Sequence, residues 1–272
     1  MKYLSKAYII FTFGILYIPI LTLIFFSFNE SNSTAVFTGF SFKWYVELFT
    51  SDEAFIALRN TLILAILASL ISTIIGTAAA EGIYKMRCKI AKTVINSVTN
   101  IPMMNPDIVT GMSMMLFFVA VAGILGVAYE DMGFWAMLIA HTTFCLPYVI
   151  LSVLPRITEL GDSLSEAALD LGCTPMQAFF KVKLPNIMPG VLSGMIMAFT
   201  MSLDDFVISY FVGSSDFQTL PLLIYSMTKK KVTPDMYALS TLIIVTIFLL
   251  LIVSNVKSGK KLSGDRKVGA KK

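Results

Sequence analysis

The stretch DSLSEAALDLGCTPMQAFFKVKLP, residues 162–185, is the one long polar insertion between apolar runs. Its residues spell two short helices. Ser163 followed three residues later by Glu166 is the pattern of a capping box, in which each side chain satisfies an orphan backbone N–H. Leu164, Ala167, Ala168 and Leu171 recur at i, i+3, i+4 and i+7, one apolar stripe on a helix. Gly172 stands where that helix ends, because glycine enters the left-handed conformation without a Cβ penalty. Thr174, Pro175 and Gln177 restart a helix at once, with an N-cap, a proline at the first helical position and a second capping box. Met176, Phe179 and Phe180 give this helix an apolar face, and Pro185 closes the unit. The pattern predicts a helix–glycine turn–helix, within a loop covering residues 156–186 and flanked by two hydrophobic spans.

The flanks decide the fold class. Of 272 residues 56% are hydrophobic and 14% charged, and the mean hydropathy is +0.79, which places the chain outside soluble classes. A spanning helix needs about 20 predominantly apolar residues. Six such runs are legible, at 7–28, 60–84, 94–122, 133–154, 187–212 and 236–256. The expected fold is an all-α membrane protein, with one transmembrane domain over 1–256 and a basic, disordered tail over 257–272. Lys2 and Lys6 precede the first run, but its length of about 22 residues exceeds the roughly 7–15 of a secretory signal core. It reads as a retained span.

Orientation follows the placement of lysine and arginine. With the N-terminus inside, the cytoplasmic segments hold Lys2, Lys6, Lys85, Arg87, Lys89, Lys92, Arg156, Lys181, Lys183 and the seven basic residues after Val256, sixteen of twenty-one. Both termini and the 162–185 insertion are therefore expected in the cytoplasm. Lys229, Lys230 and Lys231 fall outside, against this trend, where they could meet an acidic rim on a partner.

Several chemistries find no support in the residue types. Cys88, Cys145 and Cys173 avoid the outside loops, so no structural disulfide is expected. His141 is the one histidine, and no ligand-spaced pair suggests a metal site. Gly259-Lys260 lacks the upstream glycine and following hydroxyl of a phosphate-binding loop. No nucleophile–base arrangement stands out, and no catalytic residue is assigned. Any ATP driving this protein would be hydrolysed by another chain. The net charge of +4 reflects the basic tail and suggests no nucleic-acid partner.

Polar residues inside the spans mark candidate sites, because hydrocarbon penalises them. Pro102 and Pro106 flank Asn105 and precede Asp107, so the third span should kink or start irregularly. Either Asp107 caps the continuing helix, or the kink lines a translocation path. In the fifth span Asp204 and Asp205 lie roughly 26 Å along from Ile187. Either one caps or pairs locally, or at least one faces an aqueous path and attracts a cation; the second reading is preferred. His141 reads as a satisfied core histidine. Phe144 and Tyr148, at i and i+4, could form an aromatic collar or simply pack. The methionines at 103, 104, 112, 114 and 115 read as packing. Gly190 and Gly194 offer a small-xxx-small face for a close helix neighbour. Glu81 reaches the interface or pairs with Lys85 at i+4. The patch Leu220 to Tyr225 is too short to span and predicts a half-buried helix.

Glu166-Ala167-Ala168, Gly172 at the spacing EAA-x3-G, and Leu184-Pro185 after nine further residues and V-x, resemble the EAA motif of bacterial ABC importer permeases. Val182 stands where that pattern prefers isoleucine. The segments NPDIV (105–109), HTTFCLPYVI (141–150), SLDDFVISYFV (202–212) and LPLLIYSM (220–227) are similar to the spermidine/putrescine permeases of that family. The resemblance implies a MetI-like permease fold of six transmembrane helices in the bacterial cytoplasmic (inner) membrane. It implies that Glu166, Ala167, Ala168, Gly172, Leu184 and Pro185 form the coupling loop that docks into an ATPase. The implied partners, besides the lipid bilayer, are a second permease (PotB-like), two ATPase subunits (PotA-like) and an extracytoplasmic polyamine-binding protein (PotD-like). ATP and magnesium would be used by the ATPase, with no cofactor on this chain. Asp204 and Asp205 match the family's paired aspartates, and their charge suits a polycationic substrate; Asp107, Phe144 and Tyr148 complete the expected substrate path.

Rival readings are a permease for another small cation or organic solute, and a secondary carrier using Asp204, Asp205, Asp107 and Glu81. No long internal repeat is visible, which weakens the carrier. A membrane-tethered DNA-binding helix-turn-helix would put Asp162, Glu166 and Asp170 where phosphates require lysine and arginine.

Overall fold

The computed structural model describes residues 2–31, 36–50, 52–214, 217–230, 236–242, 244–246 and 248; Lys231, the end of the sixth expected span and the tail 257–272 lie outside them. The described helices, in chain order, are α1 (Lys2–Phe26), α2 (Lys43–Thr50), α3 (Asp52–Lys85), α4 (Lys89–Met104), α5 (Asp107–Leu125) and α6 (Tyr129–Leu160). There follow α7 (Ser163–Asp170), α8 (Pro175–Ala178), a π-helical turn (Phe179–Lys183), α9 (Leu184–Leu203), α10 (Val207–Val212), α11 (Leu220–Lys230) and α12 (Met236–Thr246). Among the described residues, five stretches are long and apolar enough to cross a membrane: Tyr8–Phe26, Asp52–Lys85, Asp107–Leu125, Tyr129–Leu160 and Pro175–Leu203; α12 is a shorter apolar helix.

The chain divides into two compact units, Met1–Leu58 with Leu220–Lys272, and Arg59–Thr219. In the first, α1 is apolar on every face and exposes Tyr8, Ile10, Phe11 and Leu16, the pattern of a lipid-facing helix. Trp44 Nε1 donates to the Asn29 carbonyl at 2.6 Å, and the Asn29 side chain receives Thr38 N–H at 2.9 Å. The expected half-buried helix at 220–225 is α11, whose Leu220 and Leu223 pack with Leu48, Ala54, Ala57 and Leu239.

In the second unit α6 is the central helix. Ala136, Ala140, Phe144, Cys145, Val149, Val153 and Ile157 are all buried, at four-residue steps apart from the adjacent Phe144 and Cys145. Glycines let its neighbours come close. A Cβ on Gly190 would stand 2.6 Å from Arg156 Cγ and 2.9 Å from the Ser152 carbonyl, and one on Gly194 3.2 Å from Val149 Cα. A Cβ on Gly76 of α3 would meet Val149 Cγ1 at 2.7 Å. The small-xxx-small face read from the sequence is thus the α6–α9 contact. Gly190→Ala should lower the thermal midpoint of the purified protein, because the Ser152 carbonyl is backbone and overpacking costs roughly 1–3 kcal/mol. Gly82→Ala is the control: nothing lies within 4 Å of that position, and alanine favours the helix by about 0.5–1 kcal/mol. Equal midpoints for the two variants would count against the close packing.

Several span boundaries differ from the periodicity; the second span, expected at 60–84, runs from Asp52 to Lys85. The third run, 94–122, is two helices, because Asn105 adopts extended backbone (φ −78°, ψ 143°) before Pro106. Pro106 occupies the N-cap of α5 with no side-chain cap bond, so the expected cap from Asp107 is not formed; Asp107 sits in the first turn, where the helix dipole favours a carboxylate. The fourth span, expected at 133–154, runs the whole of α6 and kinks at Gly133 (φ 11°, ψ −98°). The fifth, expected at 187–212, ends at Leu203, and α10 is a separate helix.

Candidate functional sites

Gly161, at φ 66°, turns the chain out of α6 and into the polar insertion. The helix α7 then starts one residue earlier than its sequence suggests. Glu166 N–H donates to the Asp162 carbonyl at 2.9 Å, and Asp162 already has helical dihedrals. Ser163 is therefore inside the helix, and the Ser163–Glu166 capping box does not form. The expected stripe is also not a buried face: Ala168 is buried, while Leu164, Ala167 and Leu171 are exposed.

The end of α7 is as the sequence reads. Gly172 adopts φ +86°. Its N–H donates to the Leu169 carbonyl at 2.9 Å, and Cys173 N–H donates to the Ala168 carbonyl at 3.1 Å. This pair of bonds is the Schellman closure, and it satisfies carbonyls the helix would leave open. Thr174 Oγ1 then accepts from Gln177 N–H at 3.3 Å while Gln177 Oε1 accepts from Thr174 N–H at 3.1 Å. Pro175 takes the first helical position, so the second capping box is complete. Two closures fix the angle between α7 and α8 with few core contacts.

What the hairpin presents is apolar. Leu171 is 87% exposed, Met176 68% and Phe180 56%, on a segment closed at Gly172 and capped at Thr174. Pro185 does not close the unit as expected. It lies in the first turn of α9, and the chain remains helical from Pro175 to Leu203. The π turn allows this: Leu184 N–H reaches back to the Phe179 carbonyl, and the wider turn relieves the clash a proline makes with the carbonyl four residues before it.

Lys183, the last residue of that π turn, was invisible as a site from sequence. It is 2% exposed, the one lysine, arginine, aspartate or glutamate buried among the described residues. Its Nζ lies 3.0 Å from Glu81 Oε1 and 2.9 Å from Oε2, and 4.6 Å from the centre of the Tyr84 ring. Glu81 also takes the expected Lys85 at 3.0 Å. The missed signal was Glu81 itself, a carboxylate in an apolar helix that needs more than one surface lysine.

The paired aspartates behave differently from each other. Asp205 folds back on α10: Oδ2 accepts from Ser209 N–H at 2.9 Å and Oδ1 from Ile208 N–H at 3.3 Å. His141, fully buried in α6, stands with Nε2 3.5 Å from Asp205 Oδ2 and Nδ1 2.8 Å from Ser202 Oγ. The Ser209 hydroxyl lies nearer, 3.3 Å from Nε2, so a hydroxyl that can donate or accept stands at each ring nitrogen and both are satisfied in either tautomer. His141 is the satisfied core histidine expected, tying α6 to both sides of the break between α9 and α10. Asp204, at the end of α9, is exposed.

Phe144 is buried in the core beside Tyr148, the rings 5.7 Å apart and edge to face; Tyr148 is half-buried. The break at Asn105 opens a hollow of about 260 Å³ lined by Pro102, Asn105, Val109, Thr110, Ser113 and Phe117, among others. Asp107 is exposed and is not part of that lining.

Helices long and apolar enough to cross a membrane, interrupted between α6 and α9 by an exposed apolar hairpin, mark an integral-membrane protein. The chain belongs to the family described as the binding-protein-dependent transport system inner membrane component, whose model matches residues 72–257. It is 37% identical over 258 residues to the spermidine/putrescine transport system permease protein PotC of Haemophilus influenzae, covering 95% of this chain and 97% of that one. It is 40% identical over 232 residues to the putrescine transport system permease protein PotI of Escherichia coli, covering 85% and 82%. Among solved structures it is similar to a bacterial ABC transporter involved in the import of the acidic polysaccharide alginate (TM-score 0.76, 16% identity, 95% of this chain and 96% of that one). It is also similar to the MetNI methionine ABC transporter (TM-score 0.62, 20% identity, 78% and 99%). These two likenesses support the fold.

Proposed function

We propose that this chain is the permease subunit of an ATP-driven polyamine importer in the bacterial cytoplasmic membrane, with both termini in the cytoplasm. The observation that carries the coupling role is the 162–185 hairpin, capped at both helices and apolar where it is exposed. Such a surface fits a cleft on an ATPase, and Glu166, Ala167, Ala168, Gly172, Leu184 and Pro185 shape or root it. The substrate class rests on the relatives named as spermidine/putrescine and putrescine permeases, and on the exposed carboxylate of Asp204.

ATP binding closes two ATPase subunits and draws this hairpin toward that of a second permease. The spans then rock and open a central path to an extracytoplasmic polyamine-binding protein. Hydrolysis resets the hairpin and opens the path inward. ATP and its magnesium stay on the ATPase. Asp204 attracts the cation; Asp107, Tyr148 and the hollow at the Asn105 break lie along the same path.

Labelled spermidine and putrescine uptake into proteoliposomes, with this chain and its partner subunits, tests the proposal. ATP-dependent uptake that is lost when this chain is omitted supports it. ATP-dependent transport that ignores both polyamines keeps the permease and overturns the substrate. Uptake by this chain alone on an ion gradient overturns both.

A further inference from the structure

The hairpin must be fastened to the spans it moves, and the structure shows one buried electrostatic fastening. Lys183 stands at the root of the hairpin, in the π turn that joins α8 to α9. Its partner Glu81 lies 102 residues earlier, near the end of α3. Both carboxylate oxygens lie within 3.0 Å of the ammonium. The Tyr84 ring, one turn along from Glu81, carries Lys183 on it at 4.6 Å and Lys92 of α4 at 5.5 Å. Lys85 completes the group from the exposed side. One cluster thus joins the hairpin root to α3 and to the first turns of α4.

We propose that the Lys183–Glu81 pair is the joint through which displacement of the hairpin is passed to α3, making both residues positioning residues for transport. This rests on the coupling reading above. An apolar contact can slide by small steps, because dispersion is non-directional and spread over many atoms. A buried ammonium hydrogen-bonded to one carboxylate oxygen and 2.9 Å from the other cannot, since separating the pair strands the buried Lys183 charge and leaves Glu81 only the exposed Lys85. The π turn beside it supplies the local give, as single π turns do where helices adjust at functional sites. Movement of α8 therefore carries Glu81, and α3 with it.

The test separates a joint from a mere stabiliser. Glu81→Gln alone strands the buried Lys183 and is expected to lower the yield of assembled complex, whereas Lys183→Met alone leaves Glu81 paired with the exposed Lys85 and is expected to lower it less. The double variant Lys183→Met/Glu81→Gln removes both charges, and Lys85 stays solvated at the surface. It should therefore assemble as the unaltered protein does. The readout is polyamine taken up per ATP hydrolysed in proteoliposomes holding the complete complex. If the pair transmits movement, the assembled double variant shows this ratio lowered about tenfold. If the pair only stabilises the fold, the double variant recovers the full ratio, and the inference is overturned. A complex with the native pair that takes up no polyamine with ATP would overturn the importer reading, and this joint with it.

Discussion

Replacing Gly172 by valine should leave the protein folded in the membrane while uptake falls about tenfold and ATP hydrolysis by the partner persists, an uncoupled transporter. The reason is local. Gly172 holds φ +86°, and an ordinary residue in the left-handed region costs roughly 1–2 kcal/mol, about one tenfold step in population at 1.4 kcal/mol each. Nothing lies within 4 Å of a Cβ built there, so no steric clash spreads to the core, and the penalty is confined to the turn. That turn sets the angle between α7 and α8, and hence the surface formed by Leu171, Met176 and Phe180. A graded series sharpens the test. Asparagine tolerates the left-handed region and should be near normal, alanine intermediate, valine worst. Uptake per ATP in proteoliposomes checks the order. Equal coupling in all three would show that the hairpin works without this turn.

Why that turn was legible from residues, while the joint beneath it was not, is a matter of range. The Gly172 closure and the Thr174–Gln177 box are made by residues within a few positions of each other, so local chemistry specifies them. The Gly190–Gly194 face was legible for a similar reason, since four-residue spacing places both on one side of a helix whatever it packs against. Lys183 and Glu81 meet only after α3, α6 and α9 have assembled, and no pattern inside FFKVKLP names the partner. The Ser163–Glu166 box failed by one residue because Gly161 lets the helix start from Asp162. The run from 187 to 212 read as one span because its apolar content masks the break. The signal in SLDDFVIS was Asp205 itself, placed to accept the N–H groups three and four residues on.

That placement predicts opposite outcomes for the two aspartates. Asp205→Ala removes an acceptor from two N–H groups of α10 and from the neighbourhood of a buried histidine. Losing such a cap costs about 0.5–2 kcal/mol, and stranding buried donors adds roughly 1–3 kcal/mol. The expected result is a clear drop in thermal midpoint and in the yield of complex. Asp205→Asn keeps an accepting oxygen for the α10 amides and should recover most of that stability, since asparagine caps about as well as aspartate. Asp204→Asn should do the reverse. Its carboxylate is exposed, so folding should change by no more than about 0.5 kcal/mol, while polyamine uptake falls about tenfold through a raised KM. A tenfold loss is about 1.4 kcal/mol, well inside the roughly 4 kcal/mol of a charge pair at 4 Å near a protein surface. Thermal midpoints and uptake kinetics measured on the same preparations decide the matter. If Asp204→Asn transports normally and Asp205→Asn, folded, does not, the cation meets the capping carboxylate. The break between α9 and α10 would then be the substrate site itself rather than its frame.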